Sequence, residues 1–331
     1  MPDTLMQIRT QLLKQLSDGE FHSGEALGDS VGVSRMAVWK HLKALREAGI
    51  VFEVVRGRGY RLPAAVELLD EQLILGALDA QTRARLGPVE VLLNVDSTNN
   101  HLREQALKGA LSNAVCVAEQ QSAGRGRQGR RWVSPFAENL YLSLLMHSRT
   151  GAAALGGLSL VAGMAVLRSL QPHGIHQAGL KWPNDILANG AKLAGILIDV
   201  RGESSGPCAV IIGIGLNVRM SEPAAARIDQ PWTDLHTLTG GAAISRNRLA
   251  AGLLDQLLPA IELFESDGMA PFMDEWRRHD IVEGRQIELQ LPDEVITGKG
   301  CGIDPGGALL VETPTGCRRF ASGEVTIRVS T

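Results

Sequence analysis

The pattern of apolar residues changes character along the chain, and no single layer of secondary structure accommodates all of it. Over residues 1–63 the period is helical. Leu5, Ile8, Leu12, Leu13 and Leu16 share one face, and Asp18-Gly19 ends the run. A second helix is expected from Ser23 to Val31, and a third opens on Ser34 as N-cap and stops near Ala48-Gly49. Val51–Val55 and Tyr60–Leu62 then read as two strands about the turn Arg56-Gly57-Arg58-Gly59. Three helices followed by a hairpin spell a winged helix-turn-helix. From 64 to about 275, β-rich segments (Val89–Val95, Ala114–Glu119, Asn139–His147, Lys192–Val200, Ala209–Val218) alternate with helical ones (Asn99–Lys108, Ala153–Gln171, Arg246–Phe264). Some of these strands alternate and some are continuously apolar, which predicts a mixed β-sheet covered by helices. Residues 276–331 hold short strands (Gln286–Leu291, Gly298–Ile303, Ala308–Glu312, Glu324–Val329) with glycine-rich turns, as in a small β-barrel. The fold class is therefore α+β in three domains, 1–63, 64–275 and 276–331, as a length of 331 residues allows.

Charge separates the first domain from the rest. The chain carries 33 Lys+Arg against 36 Asp+Glu, a net charge of −3, with 44% apolar residues. That balance excludes a disordered chain and a simple nucleic-acid coat. Residues 31–63 nevertheless hold seven basic side chains and two acidic ones. On the third helix Val38, Leu42 and Leu45 form the apolar face, which leaves Arg35, Trp39, Lys40, Lys43 and Arg46 mostly off it. With Ser34 at the helix start and Arg56 and Arg58 in the wing, these are the candidate DNA-binding residues. The lysines and arginines there would chiefly meet phosphate. A solvated basic helix beside an ordinary hairpin is the blander alternative.

The densest unusual segment is Gly124-Arg125-Gly126-Arg127-Gln128-Gly129-Arg130-Arg131, with four arginines in eight residues. Its glycines let backbone approach a ligand, and its guanidinium groups suit phosphate or carboxylate. It matches G-x-G-x-x-G, but Trp132-Val133-Ser134-Pro135 and a strand follow where a dinucleotide fold needs a helix. No G-x-x-x-x-G-K-[ST] occurs, so the chain is not a P-loop NTPase. Two further constellations carry polar chemistry. Asp96-Ser97-Thr98-Asn99-Asn100 follows a strand and opens a helix, where its side chains either cap or hold a small polar ligand. Lys181-Trp182-Pro183-Asn184-Asp185 precedes Lys192-Leu193-Ala194-Gly195-Ile196-Leu197, with Lys192 at the start of a buried strand. Such a lysine either snorkels to the surface or neutralises anions in a pocket.

Taken in order, Asp96-Ser97-Thr98-Asn99, Gln121 to Arg127, Lys181 to Asp185, Lys192 to Leu197 and Gly213-Ile214-Gly215-Leu216-Asn217 resemble the motifs of the biotin–protein ligases. The winged helix and the C-terminal strands make the resemblance one to their bifunctional bacterial form, which is also a biotin operon repressor. The resemblance implies a class II synthetase-like biotin ligase domain in the centre and an SH3-like barrel at the C-terminus. It implies that Ser97, Thr98, Asn99 and Gln121 meet the biotin head group, whose ureido ring has two N–H donors and one carbonyl acceptor. Arg125, Gly126 and Arg127 would close over the carboxylate and α-phosphate. Lys192 would hold the reacting carboxylate, making Lys192, Arg125 and Arg127 the catalytic set. Asp185 would bind Mg²⁺ with the ATP phosphates. Trp232 would stack on adenine, with Asn217 and Arg328 near the nucleotide. Gln120 departs from the pattern, since relatives often carry an aromatic there.

The implied activity is ATP-dependent formation of biotinyl-5′-AMP, followed by transfer to a lysine of the biotin carboxyl carrier protein of acetyl-CoA carboxylase. The same adenylate would serve as corepressor for a homodimer that binds operator DNA. A lipoyl or octanoyl ligase on a related fold, and a ligand-sensing regulator that no longer catalyses, remain the alternatives. His173-x-x-His176 has no further ligands in sequence and is not read as a metal site. The four cysteines (Cys116, Cys208, Cys301, Cys317) are scattered, and the apolar run Leu155–Leu167 falls short of the roughly 18 residues of a membrane span. A cytoplasmic protein without membrane association is the expectation.

Overall fold

The computed structural model describes residues 2–149, 151–202, 206–291, 294–321 and 326–329. Three helices, α1 (Pro2–Leu16), α2 (Gly24–Val31) and α3 (Arg35–Glu47), precede a hairpin of β1 (Glu53–Val55) and β2 (Gly59–Arg61). Ser23 and Ser34 cap α2 and α3 by accepting the Ala26 and Ala37 N–H groups. Leu12, Leu13, Leu16, Val38, Leu42 and Leu45 form the core between the helices. The hairpin is tied back to α2 through His22, which exchanges backbone hydrogen bonds with Tyr60 at 2.9 Å. Gly59 has to be glycine there: with φ at +109°, a Cβ would fall 2.0 Å from the His22 carbonyl oxygen.

The central unit begins with α4 (Glu71–Ala77) and α5 (Ala80–Arg85), both opened by aspartate caps at Asp70 and Asp79. It continues through β3 (Val89–Leu92), α6 (Thr98–Leu107), β4 (Val115–Ala118), β5 (Leu140–Ser148), α7 (Leu158–Leu170), β6 (Ala178–Lys181), β7 (Asp185–Ala188), β8 (Ala191–Gly202) and β9 (Cys208–Leu216). The short helices α8 (Glu222–Ala225) and α9 (Leu235–Leu238) lead to the long α10 (Arg246–Asp267) and to α11 (Met273–His279). The seven strands run β3-β4-β5-β9-β8-β7-β6. Only β3–β4 is parallel, so the sheet is mixed as expected. Helices α7 and α10 pack on one face, against residues such as Leu142, Leu144 and Ile212. Helix α6 covers part of the other through Leu102, against Cys116, Leu145 and Ile211. Burial on both faces explains why β5 is apolar without alternation.

The hairpin β6–β7 and the helices α4, α5 and α11 were not expected from the sequence. The C-terminal unit is β10 (Gln286–Gln290), β11 (Val295–Ile303), β12 (Leu309–Thr313), β13 (Gly316–Phe320) and β14 (Thr326–Val329), one strand more than expected. They form an antiparallel sheet in the order β13-β12-β11-β10-β14. Among the described residues β13 and β14 do not pair, so the barrel stands open along that seam.

Specific contacts fasten the three units together. The segment entering the central unit is clasped by α10: Glu67 accepts from Ser245 Oγ and the Arg246 N–H, each at 2.6 Å, and Asn247 bonds the backbone of Leu68 and Asp70. Glu119 and Arg246 form a buried ion pair at 2.8 Å, and Glu119 also accepts the Leu69 N–H. Leu93 and Phe136 of the central unit pack on the winged-helix core. At the other end Trp182 Nε1 donates to the Gly307 carbonyl at 3.0 Å, and a Cβ on Gly307 would lie 2.8 Å from Gly157 Cα.

Candidate active site

The α6 face of the sheet is left open where glycines replace apolar residues. Along β9, Ile211 lies under α6, while Gly213 and Gly215 come next on the same face. Strand pairing sets them in two rows: Leu197, Gly213 and Ser143 in one, and Asp185, Gly195, Gly215 and Tyr141 in the other. A cavity of about 940 Å³ rises over this floor. Neighbouring side chains claim the space a Cβ would need. On Gly213 it would fall 2.0 Å from Asn99 Oδ1, and on Gly215 2.5 Å from the Trp132 ring.

One wall is a neutral hydrogen-bonding cluster at the start of α6. Ser97 is the N-cap residue by position, yet its hydroxyl makes no cap bond, and it lines the cavity. Gln121 Oε1 accepts from the Thr98 N–H at 2.9 Å and from Thr98 Oγ1 at 3.2 Å, and Gln121 Nε2 donates to Ser134 Oγ at 3.0 Å. Ser143 Oγ lies 2.7 Å from Thr98 Oγ1 and 2.6 Å from Asn99 Oδ1. Asn99 Nδ2 donates to the Leu197 carbonyl and to Asp199 Oδ2. Asn99, expected at the ligand, lines the cavity with its amide held by these protein partners, which stiffens the wall beside Ser97 and Thr98.

The opposite wall is cationic. Lys192 Nζ pairs with Asp185 Oδ1 at 2.6 Å and stands 5.5 Å from the Trp132 ring centroid. Arg127 donates to Asn184 Oδ1 at 3.3 Å. Burial pulls the Arg127 guanidinium below its ordinary value, with Asp185 opposing and Arg130 reinforcing. It stays charged at any working pH. Asn184 is fixed in turn by donating to the Ile196 carbonyl at 2.8 Å, which carries Asp185 next to Lys192. Gly126 lies in the stem of the arginine hairpin, where its N–H donates to the Arg130 carbonyl at 2.6 Å.

The remaining candidates fall at different distances from this centre. Arg125, expected to grip an anion, is committed to Asp199 at 2.8 and 2.7 Å and to Asn100 Oδ1 at 2.6 Å. Asn217 lines a small adjoining cavity with Trp232. Its amide donates to the Thr233 and Lys192 carbonyls, so it ties the Trp232 segment to the start of β8. Arg328 sits on β14 opposite Glu288, and its side chain lies outside the described residues. Sequence reasoning missed Trp132, Ser143, Asn184 and Asp199 as site residues. An aspartate inside the apolar run Ile196–Val200 was the readable signal for the last.

In the N-terminal unit Arg35, Trp39, Lys40, Lys43 and Arg46 are exposed along one side of α3, as are Arg56 and Arg58 in the hairpin turn. Lys43 Nζ lies over the Trp39 ring and Arg58 over that of Phe21. Ser34, expected to bind DNA, spends its hydroxyl on the helix cap.

A two-sided cavity of this kind, on a mixed sheet between a winged helix and a small β-unit, defines an acid-activating ligase carrying its own DNA-binding domain. The comparisons with known proteins agree. Residues 92–217 match the Biotin/lipoate A/B protein ligase family, 8–61 an HTH domain, and 283–328 the Biotin protein ligase C terminal domain. The chain is 41% identical to the bifunctional ligase/repressor BirA of Escherichia coli, over 96% of each chain. It is 31% identical to that of Bacillus subtilis, over 99% of this chain and 100% of the relative. The solved structure of the Aquifex aeolicus biotin protein ligase in complex with biotin and ATP superposes with a TM-score of 0.63 at 28% identity, covering 74% of this chain and 100% of that one. The chain belongs to the bifunctional biotin ligase/repressor family.

Proposed function

We propose that this protein joins biotin to a lysine of a biotin carboxyl carrier protein, that of acetyl-CoA carboxylase, through biotinyl-5′-AMP. One observation carries the reading: a single cavity has a neutral donor–acceptor wall at Ser97, Thr98 and Gln121 and a cationic wall at Lys192 and Arg127. Biotin has the same polarity, a neutral ureido ring at one end and a carboxylate at the other. A lipoyl head group has no N–H donors to match the neutral wall, which disfavours that alternative. In the first step a carboxylate oxygen attacks the α-phosphorus of ATP, and pyrophosphate leaves. In the second the acceptor lysine attacks the acyl carbon, and AMP leaves. Lys192 and Arg127 hold the two anions together and stabilise the charge that builds between them. Trp232, beside the same region, supplies a stacking face for adenine, and the family resemblance alone assigns Arg328 to the nucleotide.

Asp185 fits a role in holding Mg²⁺ through the ATP phosphates. Among the described residues no group of three or more His, Cys, Asp or Glu side chains is placed to hold a metal ion, and Asp185 is the carboxylate that stands against Lys192. Magnesium bound mostly by phosphate and water asks for little more. The ion would neutralise phosphate charge, while Asp185 in its absence keeps Lys192 in place.

The winged helix makes the protein a repressor as well, with biotinyl-5′-AMP as corepressor of a homodimer bound to a two-fold operator in front of biotin-synthesis genes. Domain limits near 63 and 275 and a cytoplasmic location complete the reading. No helix among the described residues is long and apolar enough to cross a membrane. The test is adenylation with α-labelled ATP and Mg²⁺, with biotin or lipoate, with and without the carrier. Labelled biotinyl-adenylate that is consumed as the carrier lysine is modified is the expected result. Biotin binding without adenylate would leave a sensor, and turnover with lipoate would change the substrate. Footprinting of the promoter with and without the adenylate tests repression separately.

A further inference from the structure

Four arginines crowd the hairpin over the cavity, and one of them, Arg125, is ion-paired to the sheet. The stem of that hairpin is closed by backbone pairing: Trp132 N–H donates to the Gly124 carbonyl at 2.9 Å, and Arg125 bridges Arg131. From this stem the Arg125 guanidinium reaches β8 and donates to both carboxylate oxygens of Asp199, at 2.8 and 2.7 Å, with Asn100 Oδ1 taking another of its N–H groups at 2.6 Å. Asp199 Oδ2 also accepts from Asn99 Nδ2 at 3.1 Å. One carboxylate therefore locks the foot of the arginine hairpin and the amide beside the neutral wall.

We propose that Asp199 is a positioning residue, acting through Arg125 and Asn99, that sets how firmly the arginine hairpin closes over the acyl-adenylate and hence how long that intermediate is retained. The inference rests on the ligase reading above. The placement supports it: the Arg125 guanidinium is ion-paired to β8 at the foot of the hairpin, while Arg127 and Lys192 line the cavity above Asn184 and Asp185. A planar guanidinium on a carboxylate fixes angle as well as distance, which an ammonium does not. The hairpin can then admit substrates at its tip while its foot stays registered on the strand that carries Lys192.

The experiment compares the wild-type protein with Asp199→Asn, Asp199→Glu and Arg125→Lys. Labelled biotinyl-adenylate is formed on each without carrier, and its release is followed after a chase of unlabelled biotin. Adenylate formation by the wild type is the control that tests the ligase reading itself. Its failure would retire that reading before any variant is compared. For Asp199→Asn, release should quicken at least tenfold and KM for biotin should rise by a similar factor, while kcat for adenylation changes less than threefold. Asp199→Glu should recover most of the retention, and Arg125→Lys should quicken release as Asp199→Asn does. Wild-type retention in Asp199→Asn would overturn the proposal. So would a fall in kcat and melting temperature with KM unchanged, which would make Asp199 a purely structural acid.

Discussion

Replacing Arg246 by methionine should destabilise the protein severely without altering any residue of the cavity. Arg246 is 3% exposed and its partner Glu119 is fully buried. The guanidinium meets Glu119 at 2.8 Å and also donates to the Asn139 carbonyl at 3.2 Å and to that of Glu67. Methionine keeps most of the volume and leaves the Glu119 carboxylate with the Leu69 N–H as its remaining hydrogen bond. Breaking a buried pair from one side costs about 3–5 kcal/mol. A domain of this size loses about 2–4 °C of melting temperature per kcal/mol, so the midpoint should fall by roughly 6–20 °C. Adding Glu119→Gln should recover part of the loss, because the amide carries no charge and still accepts from Leu69. Thermal melts of the single and double variants between pH 5 and 8 decide it. A single-variant loss below about 1 kcal/mol, or a double variant no better than the single, would show that the pair is not the fastening described here.

Four further outcomes follow from the geometry. Gly213→Ala drives a methyl into Asn99 and should raise the Kd for biotin at least tenfold by calorimetry, with about 1–3 kcal/mol of lost stability. Lys192→Ala should slow adenylate formation by roughly 10²–10³-fold and move the melting temperature little, since Lys192 pairs with an Asp185 that still reaches water. Asp280 is held up at about 6 by burial, with the Val282 N–H opposing, against an ordinary value of 3.8. Its folded form therefore holds the extra proton between those values and stability declines as pH rises through them. Asp280→Asn should accordingly stabilise at pH 7, by at most about 3 kcal/mol, and give no gain near pH 4 in urea titrations. Lys40→Ala should weaken DNA binding across sequences and lower the slope of log affinity against log salt by about 1.

Elements with a strong local signal were legible in the sequence. The helices of the first domain, the strands β5, β8 and β9, and α10 have continuous periodicity or long apolar runs, and they lie within a few residues of the expected bounds. The hairpin β6–β7 was not legible: Ala-Gly-Leu-Lys and Asp-Ile-Leu-Ala favour no strand, and only pairing with β8 makes them extended. Strand β13, Gly-Cys-Arg-Arg-Phe, shows no alternation because four of its five residues are exposed. In the site, residue types announced the chemistry but not the division of labour. Arg125 and Arg127 are alike in sequence, and only the fold places Asp199 under one and Asn184 beside the other. Asn99 sits in a ligand-like motif, yet Ser143, which occupies it, lies 44 residues away on β5.

The indole of Trp182 has a consequence for anyone who shortens this protein. It is 1% exposed, donates to the Gly307 carbonyl, and stands three residues ahead of Asp185. Cutting the chain after α11 would bare that ring and strip its N–H of an acceptor, and the loop that presents Asp185 to Lys192 would lose its outer support. The entrance side differs, because Glu67, Leu68, Leu69 and Asp70 are held by side chains of the central unit itself. A trimmed enzyme should therefore tolerate loss of the winged helix better than loss of its last fifty residues, provided residues 67–70 are kept.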